Sequence, residues 1–359
     1  MTDFVIDVHG LRKSFGTLKV VDGLSLQVAK GEICGFLGAN GSGKTTTIRM
    51  LCGLLSADSG YGTCLGLDIV RQAPLIRRQV GYMTQKFSFY EDLTVFENLD
   101  LVATLYEMPN PREVVRDIMD RMVLADRRDQ LAGQLSGGWK QRLALAACVL
   151  HEPQLLLLDE PLSNLDAKLR DRMRLELKRL QHELDLTTVY VTHDQSEALA
   201  LSHEIAVMNE GRVVQIGTPR EIYEQPRDRF VADFVGSTNF IAGTVSAVAD
   251  GHAVVRSALG DLKVHAGEGV EGNAAVVVSV RPEDIELSER EPTAGGDNVC
   301  RGTVSGKEFL GDCLDFHVTV GDVVLLAKAH PSLRTPTGDP IYLRMKADKC
   351  VAIPGIRDQ

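Results

Sequence analysis

The stretch "EICGFLGANGSGKTT", residues 32–46, decides the fold. After Glu32 come six apolar or glycine residues, a run short enough for a strand buried on both faces. "GANGSGKTT" (38–46) fits the phosphate-loop pattern, with Gly38, Gly43, Lys44 and Thr45 in the required places. A helical segment, "KTTTIRMLCGLL", follows. Strand, Gly-rich turn and helix in that order are the context the pattern needs. The glycines let backbone N–H groups wrap phosphate oxygens. Lys44 reaches the outer phosphates, and the Thr45 hydroxyl can ligate Mg²⁺. Asn40, Gly41, Ser42 and Thr46 complete the candidate nucleotide loop.

Working outward, "QLLLLDEP" (154–161) is a second buried strand, and it ends in two carboxylates. Asp159 can hold Mg²⁺, and Glu160 can orient or deprotonate an attacking water. "TTVYVTH" reads as a third core strand ending at His193, on the edge where ligands of such sheets gather. Gln85, after "VGYMT", stands in a similar place. Phe15, in "LRKSFG", stands near the start of a β segment and is either a base-stacking aromatic or a core one. "QLSGGWKQR" (134–142) puts Ser136, Gly137 and Gly138 just before an apolar-periodic run, as at an anion-binding helix N-terminus. That is a second phosphate cradle in a chain with one phosphate loop.

The rest of the chain sets the frame. At about 150 residues per domain, 359 residues suggest two domains or three. A net charge of −10 argues against a general nucleic-acid binder. Seven scattered cysteines with no CxxC pair indicate neither a disulfide framework nor a zinc site, and fit a reducing cytosol. "MTDFVIDVHG" does not read as a secretory leader. No apolar run approaches the roughly 20 residues of a membrane helix.

Helical patterns fall in the 94–132 region, broken at Pro109 and Pro111, and over 167–185. In the latter Leu169, Met173, Leu177, Leu180 and Leu184 share a face. "EIAVMNEGRVVQIG" reads as a hairpin turning at 209–211. Strands alternating with helices predict an α/β unit with a mostly parallel sheet. After Gly236 the helical period disappears and short alternating strands take over, which places a domain boundary at 236/237. Within this β region "NFIAGTVS" (239–246) and "NVCRGTVS" (298–305) carry Asn and Gly-Thr-Val-Ser at the same offset, as two similar β units would.

Together these features resemble the ATP-binding cassette ATPases of membrane transporters over nearly the whole chain. "GANGSGKTT" is similar to their phosphate loop, "QLSGGWKQR" to their signature, "LLLLDE" to their magnesium strand and catalytic glutamate, and "SNLD" (163–166) to the loop that follows. The resemblance implies a P-loop NTPase cassette (1–236) with a helical subdomain, then a barrel-like β domain (237–359) for regulation or dimerisation. It implies catalytic roles for Lys44, Glu160 and His193. It adds nucleotide contacts from Phe15, Gln85, Ser136, Gly137, Gly138 and Asp166, and metal contacts from Thr45, Gln85 and Asp159. In this family two cassettes pair head to tail, so Ser136 and Gly138 bind the terminal phosphate held by the partner's Lys44. One loop and one signature per chain imply a homodimer with two composite sites.

"GTPREIYEQPRDRFVADFVGSTNFI" and "VSVRPEDIEL" resemble importers with a C-terminal oligomer-binding-like β domain, the polyamine, iron and sugar uptake group. The middle region, "VGYMTQKFSFYEDLTVFENL" above all, resembles exporter cassettes. The expectation is therefore an ATP- and Mg²⁺-dependent subunit peripheral to the cytoplasmic face of the membrane. Its partners are permease subunits and an extracytoplasmic solute-binding protein, with no nucleic acid. An exporter ATPase or a soluble non-transport cassette ATPase is the alternative.

Overall fold

The computed structural model describes residues 3–163, 165–293 and 295–354. The chain divides into two compact units, Met1–Pro219 and Arg220–Gln359.

In the first unit a six-stranded sheet carries the chemistry. Its strands are β3 (Ile33–Gly38), β6 (Val80–Met83), β7 (Leu155–Asp159), β8 (Thr187–Thr192), β9 (Glu204–Asn209) and β10 (Arg212–Gly217), in the order β10-β9-β3-β8-β7-β6. The pairs among β9, β3, β8, β7 and β6 are parallel, and only the hairpin partner β10 runs antiparallel. Every residue of β3, β7 and β8 is buried, which is why these strands read as unbroken apolar runs.

A second sheet, β2-β1-β4-β5, is antiparallel and is built from β1 (Phe4–Phe15), β2 (Leu18–Ala29), β4 (Ser59–Cys64) and β5 (Leu67–Asp68). It shares a core with the first sheet and with α1 (Lys44–Leu51) and α2 (Ala73–Gln79). A separate cluster unites α3 (Val95–Leu105), α4 (Pro111–Arg121), α5 (Gly137–Val149) and α6 (Ala167–Leu184) with the far face of the six-stranded sheet. Leu143 to Leu150 are buried all round, so α5 is the central helix of this layer. On α6 Met173, Leu177 and Leu180 face the core, with Leu169 and Leu184 packed at its margin. The last helix, α7 (Gln195–Leu201), follows β8 directly.

The second unit begins with α8 (Pro219–Glu224) and α9 (Arg229–Val235). It continues as a closed barrel, β11-β12-β13-β20-β14, and a five-stranded sheet, β15-β19-β16-β17-β18. The strands are β11 (Asn239–Ala249), β12 (His252–Ser257), β13 (Gly260–Ala266), β14 (Ala275–Val280), β15 (Ile285–Ser288), β16 (Asn298–Phe309), β17 (Leu314–Val320), β18 (Val323–Ala329), β19 (Pro340–Met345) and β20 (Cys350–Pro354). Both sheets enclose one apolar core.

The compact unit starts before the 236/237 boundary expected from the sequence. Loss of helical period marks the last helix, whereas compactness follows contacts. Ala232 packs with Val351 and Ile353, and Arg281 donates to the carbonyls of Tyr223, Ala232 and Gly236, so both short helices go with the barrel.

The repeated Asn and Gly-Thr-Val-Ser stretches are structurally equivalent. Asn239 opens β11, and its amide exchanges two bonds with the backbone of Leu326 on β18, at 2.7 and 2.8 Å. Asn298 opens β16 and does the same to Lys263 on β13, at 2.7 and 2.8 Å. Each asparagine thus fastens its own unit to the third strand of the other. A Cβ at Gly243 would meet Val255 Cγ1 at 2.4 Å, and one at Gly302 would meet Val318 Cγ1 at 2.6 Å. Val245 and Val304 are both buried, and each is followed by a register shift.

Candidate functional site

The loop 38–46 leaves β3 and closes onto α1. Gly43 takes φ +100, and a Cβ there would lie 2.4 Å from the Val20 carbonyl oxygen, so the turn requires glycine twice over. No side chain caps α1, which leaves its first N–H groups free for an anion. Ser42 Oγ is buried without a hydrogen-bond partner among the described residues, another group waiting for an acceptor or donor. Lys44 is 5% exposed, and its ammonium donates to the carbonyls of Gly38 (2.7 Å) and Ala39 (3.0 Å). Burial lowers its pKa, opposed by the charges of Glu160 and Asp159. Asn40 and Gly41 are exposed at the crest, and Thr45 and Thr46 are half-buried in the first helical turn.

Asp159 ends β7 and faces the loop. Its Oδ1 accepts from Thr45 Oγ1 at 3.0 Å and its Oδ2 from Tyr82 Oη at 3.4 Å. Burial pushes its carboxyl above the usual range, and the Thr45 hydroxyl opposes that. The Tyr82 hydroxyl is pushed up to about 12, chiefly by burial, so it stays a donor. A carboxylate and a hydroxyl at contact distance are a fitting partial ligand set for Mg²⁺, which takes its remaining oxygens from phosphates and water. Among the described residues no group of three or more His, Cys, Asp or Glu forms a self-sufficient metal cage.

Glu160 is 8% exposed and sits at φ +50, the left-handed region that costs a non-glycine residue energy. Its backbone N–H donates to Val191 O at 2.9 Å. Gln85 Nε2 donates to Oε2 at 2.8 Å, and His193 Nδ1 lies 3.1 Å from Oε1. Three strand ends (β6, β7 and β8) therefore converge on one carboxylate. The His193 side chain is 48% exposed, with its other face toward solvent.

The structure brings Lys44, Thr45, Asp159, Glu160, Gln85 and His193 into one linked group. Gln85 joins it through Glu160. Among the described residues no hydrogen bond joins it to Thr45 or Asp159. Phe15 ends β1 and is 52% exposed, which removes the core reading. Asp166 caps α6 by accepting from Leu169 N at 3.0 Å. Asn164, in the "SNLD" loop, lies outside the described residues.

Ser136 is the N-cap residue of α5, and its hydroxyl makes no capping bond. Ser136 and Gly137 are exposed. Gly138 is buried, where a Cβ would meet Leu169 Cδ2 at 2.7 Å. The Arg127 and Arg142 guanidiniums lie 4.3 and 5.1 Å from the Trp139 ring, and Arg142 also pairs with Glu176, which anchors this helix start. Among the described residues no hydrogen bond connects 136–138 to the loop 38–46.

Full-length relatives decide the family. The chain is 39% identical to the spermidine/putrescine import ATP-binding protein PotA of Thermobifida fusca, over 94% of its own length and 90% of the relative. It belongs to the ATP-binding subunits of ABC transporters. The ABC transporter family model matches residues 21–163, and the TOBE domain model matches 278–353. The putrescine transport ATP-binding protein PotG of Escherichia coli is 37% identical over 97% of this chain and 95% of its own. Among solved structures, cbiO1 of Clostridium perfringens, part of the ABC transporter complex cbiONQ, superposes with a TM-score of 0.57 at 27% identity. It covers 61% of this chain and 90% of its own. The PotA and PotG matches cover 94% and 97% of this chain.

Sequence reasoning missed Tyr82, which braces Asp159, and Asn98. The buried Asn98 amide bonds the backbone of Tyr90 and Thr94 and so fixes the segment after Gln85. It also missed Arg170, Asp194 and Glu197, whose partners lie up to 27 positions apart and leave no local pattern.

Proposed function

We propose that this chain is the ATP-hydrolysing subunit of a solute importer and works as a homodimer with two composite Mg-ATP sites. One observation carries the reading: a buried carboxylate, Glu160, is gripped by Gln85 and His193 beside a phosphate loop whose threonine bonds Asp159 and whose lysine is held by its own loop carbonyls. Lys44 exchanges its loop carbonyls for the outer phosphate oxygens. The uncapped N–H groups of α1 and the Ser42 hydroxyl bind the remaining oxygens. Thr45 and Asp159 would hold Mg²⁺, which would supply neutralisation of phosphate charge. Glu160 accepts the proton of the attacking water, and Gln85 and His193 fix which oxygen it presents. Phe15, exposed at the end of β1, stacks on the base.

Ser136, Gly137 and Gly138 serve the partner's nucleotide: an exposed, uncapped helix start with a free serine hydroxyl is built for an anion brought from outside the chain. Asp166 acts in this site through the helix it caps.

Among the described residues no helix is long and apolar enough to cross a membrane. We infer from the importer reading that the subunit works on permease partners at the cytoplasmic face, with an extracytoplasmic solute-binding protein supplying the solute. A groove of about 570 Å³ lined by Arg77, Arg78, Leu105, Tyr106 and His151 is suited to a permease helix, and Leu105 is 73% exposed there. The β region 237–359 serves regulation or dimer contact. The importer reading is favoured by relatives named for spermidine/putrescine import that match over most of this chain. Reconstitution with the permease subunits into vesicles tests it: solute should accumulate on the side that holds ATP, and efflux from that side would reverse the assigned direction.

A further inference from the structure

One guanidinium ties together three segments around the hydrolytic carboxylate. Arg170 lies in the first turn of α6, with its side chain 29% exposed. Its Nη2 donates to the Leu165 carbonyl at 3.1 Å, its Nη1 lies 3.1 Å from Asp194 Oδ2, and its Nε lies 3.6 Å from Glu197 Oε1. Glu197 is 2% exposed and accepts from the hydroxyls of Tyr190 (2.9 Å) and Thr192 (2.8 Å). The Asp194 backbone N–H donates to Thr192 Oγ1 at 2.9 Å, and its carboxylate caps α7. Both chain neighbours of His193 thus belong to the network, while the His193 ring touches Glu160. Leu165 lies on the loop that leaves Glu160, so the connections close on themselves.

A half-buried guanidinium beside a buried carboxylate is seldom the best device for stability alone, because desolvation consumes much of the attraction. Its geometry is also specific. The planar fork donates in fixed directions to the Leu165 carbonyl and the Asp194 carboxylate, with Nε facing Glu197 by charge alone at 3.6 Å, a rigid geometry that a lysine's point charge does not reproduce. The ends of the fork are the loop after Glu160 and the turn bearing His193, both elements of the hydrolytic edge.

We propose that Arg170 is a positioning residue that locks Leu165 to the His193 turn, so that the seating of Leu165 sets where His193 meets Glu160. Movement of the Leu165 carbonyl carries the guanidinium, and Asp194 follows it. The proposal rests on the reading of Glu160 and His193 as the hydrolytic pair.

The test uses the full chain and steady-state hydrolysis of Mg-ATP. Arg170→Gln should lower kcat about 10-fold or more with KM within about twofold, the pattern of a group that matters only at the transition state. Arg170→Lys should recover part of that loss. In a His193→Ala background Arg170→Gln should cost no more than about twofold further, since both act through one contact. Should Arg170→Gln fold poorly with Glu197 left unpaired, Arg170→Gln/Glu197→Gln removes the buried charge, and it should regain thermal stability without regaining kcat. A kcat within twofold of wild type, an effect additive with His193→Ala, or recovery of kcat along with stability overturns the proposal. Glu160→Gln runs beside these variants: if it retains hydrolysis, the site reading itself fails. If Glu160→Gln is inactive while Arg170→Gln is active, only the Arg170 proposal fails.

Discussion

Glu160→Gln removes one negative charge and one proton acceptor while keeping the side chain's shape. The amide oxygen can still accept from Gln85 at the 2.8 Å contact, and the amide N–H₂ can face His193 across the 3.1 Å one. Nothing in the nucleotide cradle changes: Lys44 keeps its loop carbonyls and Thr45 keeps Asp159. Binding should therefore persist while the chemical step loses its acid–base group. Such groups are worth about 10²–10⁴-fold, or about 2.7–5.4 kcal/mol at 1.36 kcal/mol per tenfold. The assay is phosphate release at saturating Mg-ATP, alongside nucleotide affinity by equilibrium binding. The variant should bind within a few-fold of wild type and turn over at least about 100-fold more slowly. Turnover near the wild-type rate would refute the role given to Glu160.

Ser136→Arg should leave nucleotide affinity of the isolated chain unchanged and abolish turnover, measured by the same two assays; lost affinity in the single chain would place the signature in its own site. Asp159→Asn should raise the melting temperature of the nucleotide-free protein and lose the added stabilisation by Mg-ATP. The sign follows from its raised pKa: the folded state holds that proton more readily than the unfolded chain, so ionisation costs stability as pH rises above the ordinary carboxyl value, and a neutral isostere escapes the cost. A lower melting temperature in the nucleotide-free variant would contradict the burial argument. Asn298→Ala strands the Lys263 backbone pair at a cost of about 2 kcal/mol, so amide exchange at Lys263 should quicken about 30-fold while ATP turnover is unchanged. Unaltered exchange there would remove the clamp role.

What the sequence made legible was local. The strand–loop–helix order around residues 32–51 and the buried run before Asp159 need only a short window, and the structure has both. The β repeat was legible as text because the same local geometry recurs: an asparagine clamp, a glycine crossed closely by a neighbouring strand, and a bulge after valine. The division into compact units falls before the 236/237 boundary read from the sequence because α8 and α9 look like any helices in sequence, and only their packing groups them with the barrel. Phe15 was ambiguous because exposure is a tertiary property. Arg170 and Glu197 were invisible for a related reason: a charged residue on an amphipathic helix is ordinarily solvated, and the bonds of these two depend on how α6 and α7 meet the ends of β7 and β8.

The central claim is that residues 136–138 of one chain close on the nucleotide loop of another. Short bismaleimide cross-linking tests it most directly. Asn40→Cys chains are mixed with Ser136→Cys chains, both carrying Glu160→Gln, with the chain lacking either new cysteine as the background control. Asn40 and Ser136 are both exposed, so both thiols are reachable before the chains meet. A covalent two-chain product should form in the mixture when Mg-ATP is present, and neither variant alone should yield it. No two-chain product at saturating ATP, or a link that forms within a single chain carrying both substitutions, would contradict the composite site.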